Sequence, residues 1–325
     1  MKKVYQNVVD AIGWTPIVRL PRISKDTGHT FWAKLEFMNP GGSVKDRIGA
    51  AIIEEAEKSG ALKPGGTIVE ATSGNTGLGI AMVAAVKGYK CIFVMPDKVS
   101  EEKRAILRAY GAEVVITPSS VEPTDPRSYV MTAQRILKET PNSFHANQFN
   151  NGANPLAHYK TTGPEIWEQM GTEVDAFFGG MGTGGTVSGV GRFLKEKNPN
   201  VKIVLADPIG SILYDLYYHG KVITGAKPYK VEGVGEDMLP ANVHLQYLDA
   251  VISMDDKRAF AMTRRLIAEE GICVGPSSGM ALACAVEYSK TLKKPSNLLV
   301  LFPDNGRAYL SKTFNDQWMK ENGLL

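Results

Sequence analysis

The chain has 325 residues, 43% of them hydrophobic and 22% charged, with a formal net charge of +3. That length suits one large domain or two ordinary ones, and Lys and Arg are spread among acidic residues without the basic stripe of a nucleic-acid binder. No apolar run has the length of a membrane span, and residues 1–10 hold two lysines but no apolar signal core.

The three cysteines, Cys91, Cys273 and Cys284, lie far apart and form no CxxC. They read as buried thiols of a reducing cytoplasm rather than a disulfide framework. Five histidines show no ligand spacing for zinc, so no metal is expected.

In chain order, the first strongly periodic element is a helix over 43–58. Ser43 is placed to cap the amides of Lys45 or Asp46, and Val44, Ile48, Ala51 and Ile52 mark an apolar face. Lys45 thus falls in the first turn, where the helix dipole disfavours a cation. It reads either as a solvated lysine or as an amine of depressed pKa suited to forming a Schiff base. A strand over Thr67–Ala71 runs into Thr72-Ser73-Gly74-Asn75-Thr76-Gly77, a polar turn opening a helix over 78–87. Amides and hydroxyls at such a helix start make a seat for an anion. The helix itself is apolar and small nearly all round, which predicts burial on most sides.

Strands over 89–95 and Glu113–Thr117 flank a helix over 100–110. A strand over 176–178 then precedes Gly182-Thr183-Gly184-Gly185-Thr186, again at a helix start. Its glycines let a ligand approach the backbone, and the dipole favours a phosphate. The loop lacks the Lys-Ser/Thr pair of a P-loop, which disfavours a nucleoside triphosphate. A strand over 202–206, helices over 255–270 and 279–292, and a strand over Asn297–Phe302 complete the pattern. Gly60, Gly88, Gly111 and Gly271 follow four of the helices at the position where a left-handed residue closes them. Within Gly275-Pro276-Ser277-Ser278-Gly279, both serines taken alone read as a helix cap. The alternation of strand and helix predicts an α/β fold with mostly parallel sheet and helices on both faces.

The helix-start lysine of Asn39-Pro40-Gly41-Gly42-Ser43-Val44-Lys45-Asp46-Arg47, the Ser73-Gly74-Asn75 turn and the Gly182–Thr186 loop, in this order, resemble the fold-type II pyridoxal-phosphate enzymes. Within them the chain is similar to the cysteine synthase and cystathionine β-synthase family, from Asn7-Val8-Val9-Asp10-Ala11-Ile12-Gly13-Trp14-Thr15-Pro16 to the tail. The resemblance implies two mostly parallel open-sheet α/β domains of the tryptophan synthase β-like kind. The smaller would cover about 46–150, and the larger 1–45 plus 151–325, with the active site between them and closing over substrate. It also implies pyridoxal 5'-phosphate bound through Lys45, with Asn75 on the phenolic oxygen and Gly182, Thr183, Gly184, Gly185 and Thr186 around the phosphate. Ser277, or its neighbour Ser278, would face the pyridine nitrogen. Thr72, Ser73, Gly74 and Thr76, helped by Gln148, would hold the substrate carboxylate. The implied reaction is β-replacement by a thiol through an enzyme-bound aminoacrylate, with Lys45 as acid and base, in a cytoplasmic homodimer.

Two reactions compete: serine with homocysteine, giving cystathionine and water, and O-acetylserine with sulfide, giving cysteine and acetate. Asn154-Pro155-Leu156-Ala157-His158-Tyr159, the stretch over 230–237 and above all the tail over 303–319 are similar to the cystathionine β-synthase side. Thr161-Thr162-Gly163-Pro164-Glu165-Ile166-Trp167 leans toward cysteine synthase. A serine or threonine dehydratase and a non-catalytic scaffold are the remaining alternatives. The chain leaves no room for a haem-binding extension or paired C-terminal regulatory domains, so neither is expected.

Overall fold

The computed structural model describes residues 4–325 other than Asp26, Ser73 and Pro123. Among the described residues ten strands form: β1 (Ile17–Arg19), β2 (Thr30–Leu35), β3 (Thr67–Ala71), β4 (Lys90–Pro96), β5 (Glu113–Thr117), β6 (Ser143–His145), β7 (Ala176–Gly180), β8 (Lys202–Pro208), β9 (Ala250–Met254) and β10 (Asn297–Phe302). They make two sheets, one in each of two compact units, Met1–Ile12 with Asn39–Asn154 and Gly13–Met38 with Pro155–Leu325.

The first unit holds a four-stranded sheet in the order β5-β4-β3-β6, parallel throughout. Its inner strands are buried nearly from end to end, as strands covered on both faces must be. On one face Val69 and Val94 meet Ala133, Ile136 and Leu137 of helix Tyr129–Glu139. Helices Lys45–Lys58 and Asn75–Lys87 pack closely on each other, and the second also contacts β4. Residues 39–45 belong with this unit because the helix that Lys45 opens is packed against helix Asn75–Lys87.

The second unit holds a six-stranded sheet, β1-β2-β10-β7-β8-β9, parallel except for the β1–β2 pair. Helix Pro276–Ser289 lies across β7, β8, β9 and β10, and Phe31, Phe178, Phe302, Met280, Leu282 and Cys284 share one buried apolar cluster. The four expected helix-closing glycines, Gly60, Gly88, Gly111 and Gly271, all have positive φ, from 71° to 85°. Cys91 and Cys284 are buried and Cys273 partly so; burial pushes the Cys91 thiol up to about 12. Among the described residues no helix is long and apolar enough to cross a membrane.

Candidate active site

In the first unit, β3 delivers the chain to the polar turn and helix Asn75–Lys87 carries it away. The sheet ladder persists to Thr72, whose amide donates to the Val94 carbonyl (3.1 Å). Gly74 N donates to Thr72 Oγ1 (3.3 Å) and Gly77 N to the Gly74 carbonyl (3.1 Å). The helix begins at Asn75, three residues earlier than its apolar pattern suggests. Asn75 and Thr76 are therefore first-turn residues, at the end where the dipole is positive and amides lack helical partners. Ser73 lies outside the described residues.

Lys45 is the first residue of its own helix. Val44, not Ser43, holds the capping position and no side chain among the described residues caps that end, but Lys45 N donates to Ser43 Oγ at 3.2 Å. The preceding loop wraps the Asp46 carboxylate, which accepts from Gly41 N at 2.6 Å. Two glycines fix where Lys45 stands. A Cβ on Gly49 would lie 2.5 Å from the Gly79 carbonyl carbon, and a Cβ on Gly79 would lie 2.5 Å from the Lys45 carbonyl oxygen. The two helices thus touch backbone to backbone, and Gly79 is only four residues, about 6 Å of helical rise, from Asn75. The main chain of Lys45 is held one turn from the anion-seat end of the neighbouring helix.

Thr76 Oγ1 donates to Gln148 Oε1 at 2.5 Å, so these two predicted residues, 72 positions apart, meet. The loop carrying Gln148 is tied down twice. Asn154 Nδ2 donates to the Gln148 carbonyl (2.8 Å). The Glu70 carboxylate accepts from Asn147 N (2.7 Å) and Gln148 N (3.3 Å). Glu70 is 2% exposed; burial pushes its carboxyl up to about 7, against the pull of those two amides. Burial also lowers the pKa of His145, whose Nε2 lies 3.4 Å from Glu70 Oε2.

In the second unit, β7 leads through Met181 into the glycine loop and helix Gly185–Lys197. Gly184 caps this helix with φ +87°, and a Cβ there would lie 2.5 Å from Val243 Cγ2. A Cβ on Gly182 would meet the Gly233 carbonyl oxygen at 2.8 Å, and Gly235 N donates to the Met181 carbonyl at 2.8 Å. The loop is therefore backed by the 233–243 segment. Thr186 Oγ1 is hydrogen-bonded to His158 Nε2 (3.1 Å), and His158 Nδ1 to Thr162 Oγ1 (2.9 Å). The imidazole is 1% exposed, and Gly189 lets the helix close on it, since a Cβ there would lie 2.8 Å from His158 Cβ.

The serine pair opens helix Pro276–Ser289 in the same unit, but not as its cap. Gly275 is the capping residue, and no side chain among the described residues caps that end. Ser277 is 5% and Ser278 0% exposed. Ser278 Oγ has no hydrogen-bonding partner among the described residues. Beneath the turn the tail folds back: Val274 bridges Asn305, Gly275 N donates to the Asp304 carbonyl (3.2 Å), and Tyr309 Oη donates to Asp304 Oδ2 (2.7 Å).

The predicted residues thus divide by unit, with Lys45, Thr72, Gly74, Asn75, Thr76 and Gln148 in the first and Gly182–Thr186 and Ser277 in the second. Glu70 and His158 carry no local signal of a functional role. Glu70 reads as one more residue of a strand, and His158 only as part of the 154–159 segment.

Residues 8–304 match the family described as pyridoxal-phosphate dependent enzyme, and the chain belongs to it. It is 45% identical to cystathionine β-synthase of Apis mellifera over 99% of this chain, and 46% identical to that of Rattus norvegicus over the same share. It spans 64% and 58% of the length of those two relatives. It is 44% identical to a cysteine synthase of Staphylococcus aureus over 95% of this chain and 97% of that protein. The solved O-acetylserine dependent cystathionine β-synthase from Helicobacter pylori is similar over 96% of this chain and 99% of its own, with TM-score 0.86 and 36% identity. A hydrogen sulfide-producing enzyme from Fusobacterium nucleatum gives TM-score 0.87 at 38% identity, over 95% of this chain and 99% of its own. The chain is thus a member of the pyridoxal-phosphate dependent enzyme family, similar over nearly its whole length both to cystathionine β-synthases and to a cysteine synthase.

The residues present fit that cofactor. A primary amine at a helix start suits its aldehyde, and a glycine-walled start of a 13-residue helix suits its phosphate. A buried hydroxyl without a partner among the described residues, Ser278 Oγ beside Ser277, suits the ring nitrogen.

Proposed function

We propose that the chain joins L-homocysteine to the β-carbon of L-serine, making L-cystathionine and water. The observation that carries the pyridoxal-phosphate chemistry of this reading is the glycine-to-backbone crossing that holds the Lys45 main chain one turn from Asn75 and Thr76. Identity of 45–46% to cystathionine β-synthases over 99% of the chain supports the choice of thiol. A second reading, O-acetylserine as the donor and sulfide as the nucleophile, is favoured by the end-to-end match to a cysteine synthase. The Helicobacter pylori relative combines O-acetylserine with cystathionine in its name, so donor and thiol are tested separately.

In this reading Lys45 Nζ tethers the cofactor, with Asn75 on its phenolic oxygen, Gly182, Thr183, Gly184, Gly185 and Thr186 around its phosphate, and Ser277 or Ser278 at the pyridine nitrogen. Pyridoxal phosphate, when bound, supplies an electron sink conjugated to the substrate Cα. A serine hydroxyl, unlike a carboxylate, leaves the pyridine nitrogen uncharged and moderates that sink, which suits exchange at Cβ over transamination. Thr72, Ser73, Gly74 and Thr76 hold the substrate carboxylate with amides and hydroxyls at the helix start, and Gln148 completes the seat. Lys45 Nζ, as a free amine beside the bound substrate, would remove the Cα proton. The Cβ–O bond breaks and the hydroxyl departs as water with the proton that the thiol gives up, the resulting thiolate forms the Cβ–S bond, and Lys45 returns the proton to Cα.

The test offers serine and O-acetylserine, each with homocysteine and with sulfide. Cystathionine from serine is the expected main product. Strong preference for O-acetylserine with sulfide, homocysteine being inert, supports the second reading, and keto-acid release without a thiol supports a dehydratase. Lys45→Ala is expected to keep the fold while losing turnover and the visible absorbance of lysine-bound cofactor. Full β-replacement by that variant removes the assignment. Light scattering on the eluted protein checks the homodimer that the resemblance implies.

A further inference from the structure

We propose that Glu70 is a positioning residue for the amino-acid substrate, fixing the backbone of Asn147 and Gln148 and thereby seating Gln148 against Thr76. The inference rests on the reading that Thr76 and Gln148 hold the substrate carboxylate.

β6 pairs with β3 for three residues only, Thr67 with Ser143, Ile68 with Phe144 and Val69 with His145. Ala146 N still reaches the Val69 carbonyl, at 3.4 Å. There the chain leaves the ladder, and Asn147 takes φ +50°, a left-handed conformation that asparagine tolerates better than most residues. The next two amides, of Asn147 and Gln148, have lost their strand partner, and both donate to the Glu70 carboxylate instead.

Side chains alternate along a strand, so Glu70 points away from the face on which Val69 meets Val94 and Ala133. An apolar residue at this buried position would avoid the desolvation that a carboxylate meets. In its ionised form, which the two amide bonds favour, the Glu70 carboxylate does what an apolar or amide side chain does not: it presents two acceptors and no donor to two adjacent amides. With both bonds made, Gln148 has its amide on Glu70, its carbonyl on Asn154 and its side-chain oxygen on Thr76. Two main-chain anchors and one on the side-chain oxygen restrict how Gln148 is presented. Removing the first frees the loop where it departs from the sheet.

The experiment uses the holoenzyme and its Glu70→Gln, Glu70→Asp and Gln148→Ala variants. Steady-state kinetics are measured with serine and with O-acetylserine, and cofactor absorbance records loading. In Glu70→Gln one amide faces an N–H2 group, and the expected result is an increase in amino-acid KM of about tenfold, the scale of one lost charge-assisted hydrogen bond. Its kcat, thiol KM and cofactor absorbance stay within about twofold of wild type, the split expected when only uniform binding is lost. Glu70→Asp keeps the charge with a shorter reach and gives an intermediate KM, and it decides the matter alone if the Gln variant does not fold.

A wild-type KM in both Glu70 variants, with a raised KM in Gln148→Ala, overturns the role of Glu70 and leaves the reading of the site standing. Unchanged KM in Gln148→Ala overturns that reading and the inference with it. Parallel loss of kcat and cofactor absorbance at unchanged KM marks Glu70 as a general structural residue and overturns the proposal.

Discussion

His158 bonds two threonine hydroxyls with its two ring nitrogens, one of them on Thr186 in the first turn after the glycine loop. A neutral imidazole has one donor and one acceptor, so each hydroxyl takes the complementary role. His158→Phe removes both bonds and leaves Thr162 Oγ1 buried, which is expected to cost about 1–3 kcal/mol of stability. It also lets Thr186 turn freely, so the apoenzyme is expected to bind pyridoxal phosphate several-fold more weakly, with His158→Asn between the two. Thermal unfolding and absorbance titration with the cofactor check both expectations. His158 shows where residue-scale reading runs out. The place of Lys45 in a helix's first turn is legible because Ser43 and an apolar face sit beside it in the chain, whereas Glu70 and His158 act on partners 77 and 28 positions away.

At the scale of elements, what positions Lys45 is the crossing at Gly49 and Gly79. In an exposed helix, Gly→Ala is expected to stabilise by about 1 kcal/mol through helix propensity. At Gly79 the added methyl would meet the Lys45 carbonyl at 2.5 Å. The obstacle is main chain and does not rotate away, so overpacking of about 1–3 kcal/mol opposes that gain. The outcome expected for Gly79→Ala is a lower melting temperature together with a loss of kcat larger than the stability change explains, since the lysine moves with its helix. Calorimetry alongside single-turnover kinetics measures the two effects. A stable and fully active Gly79→Ala protein counts against the crossing as the positioning device. The helix over 78–87 was legible as buried from its small, apolar composition. Its true start at Asn75 was not, because Asn, Thr and Gly at the first turn read as a turn rather than as helix. β1 and β6 escape pattern reading because three residues show no period, while β3, β5 and β10 match the expected bounds because each is a β-branched or leucine-rich run ended by turn residues.

At the scale of the whole chain, strand–helix alternation predicts parallel sheet but does not give the strand order. Register explains why. β10, from the last 29 residues, sits between β2 and β7, pairing Asn297–Phe302 with Thr30–Leu35 on one side and Leu298–Val300 with Ala176–Phe178 on the other. Nothing local to 297–302 distinguishes a central strand from an edge strand, since both are apolar runs here. The placement has a consequence that truncation tests. Without residues 297–325, β2 and β7 lose their shared neighbour, Phe302 and Val300 leave the core cluster, and helix Pro276–Ser289 loses part of the surface on which it lies. The side chains of Leu298, Val300 and Phe302 alone represent about 5–8 kcal/mol of burial, comparable to the net stability of an ordinary domain. A chain ending at Ser296 is therefore expected to lose the cooperative unfolding of the second unit, not merely to melt a few degrees lower. Hydrogen exchange is the discriminating measurement: amides of β7, β8 and β9 should exchange as in an unfolded chain. If they remain protected in the truncated protein, β10 is dispensable to the sheet and its central position does not organise the unit.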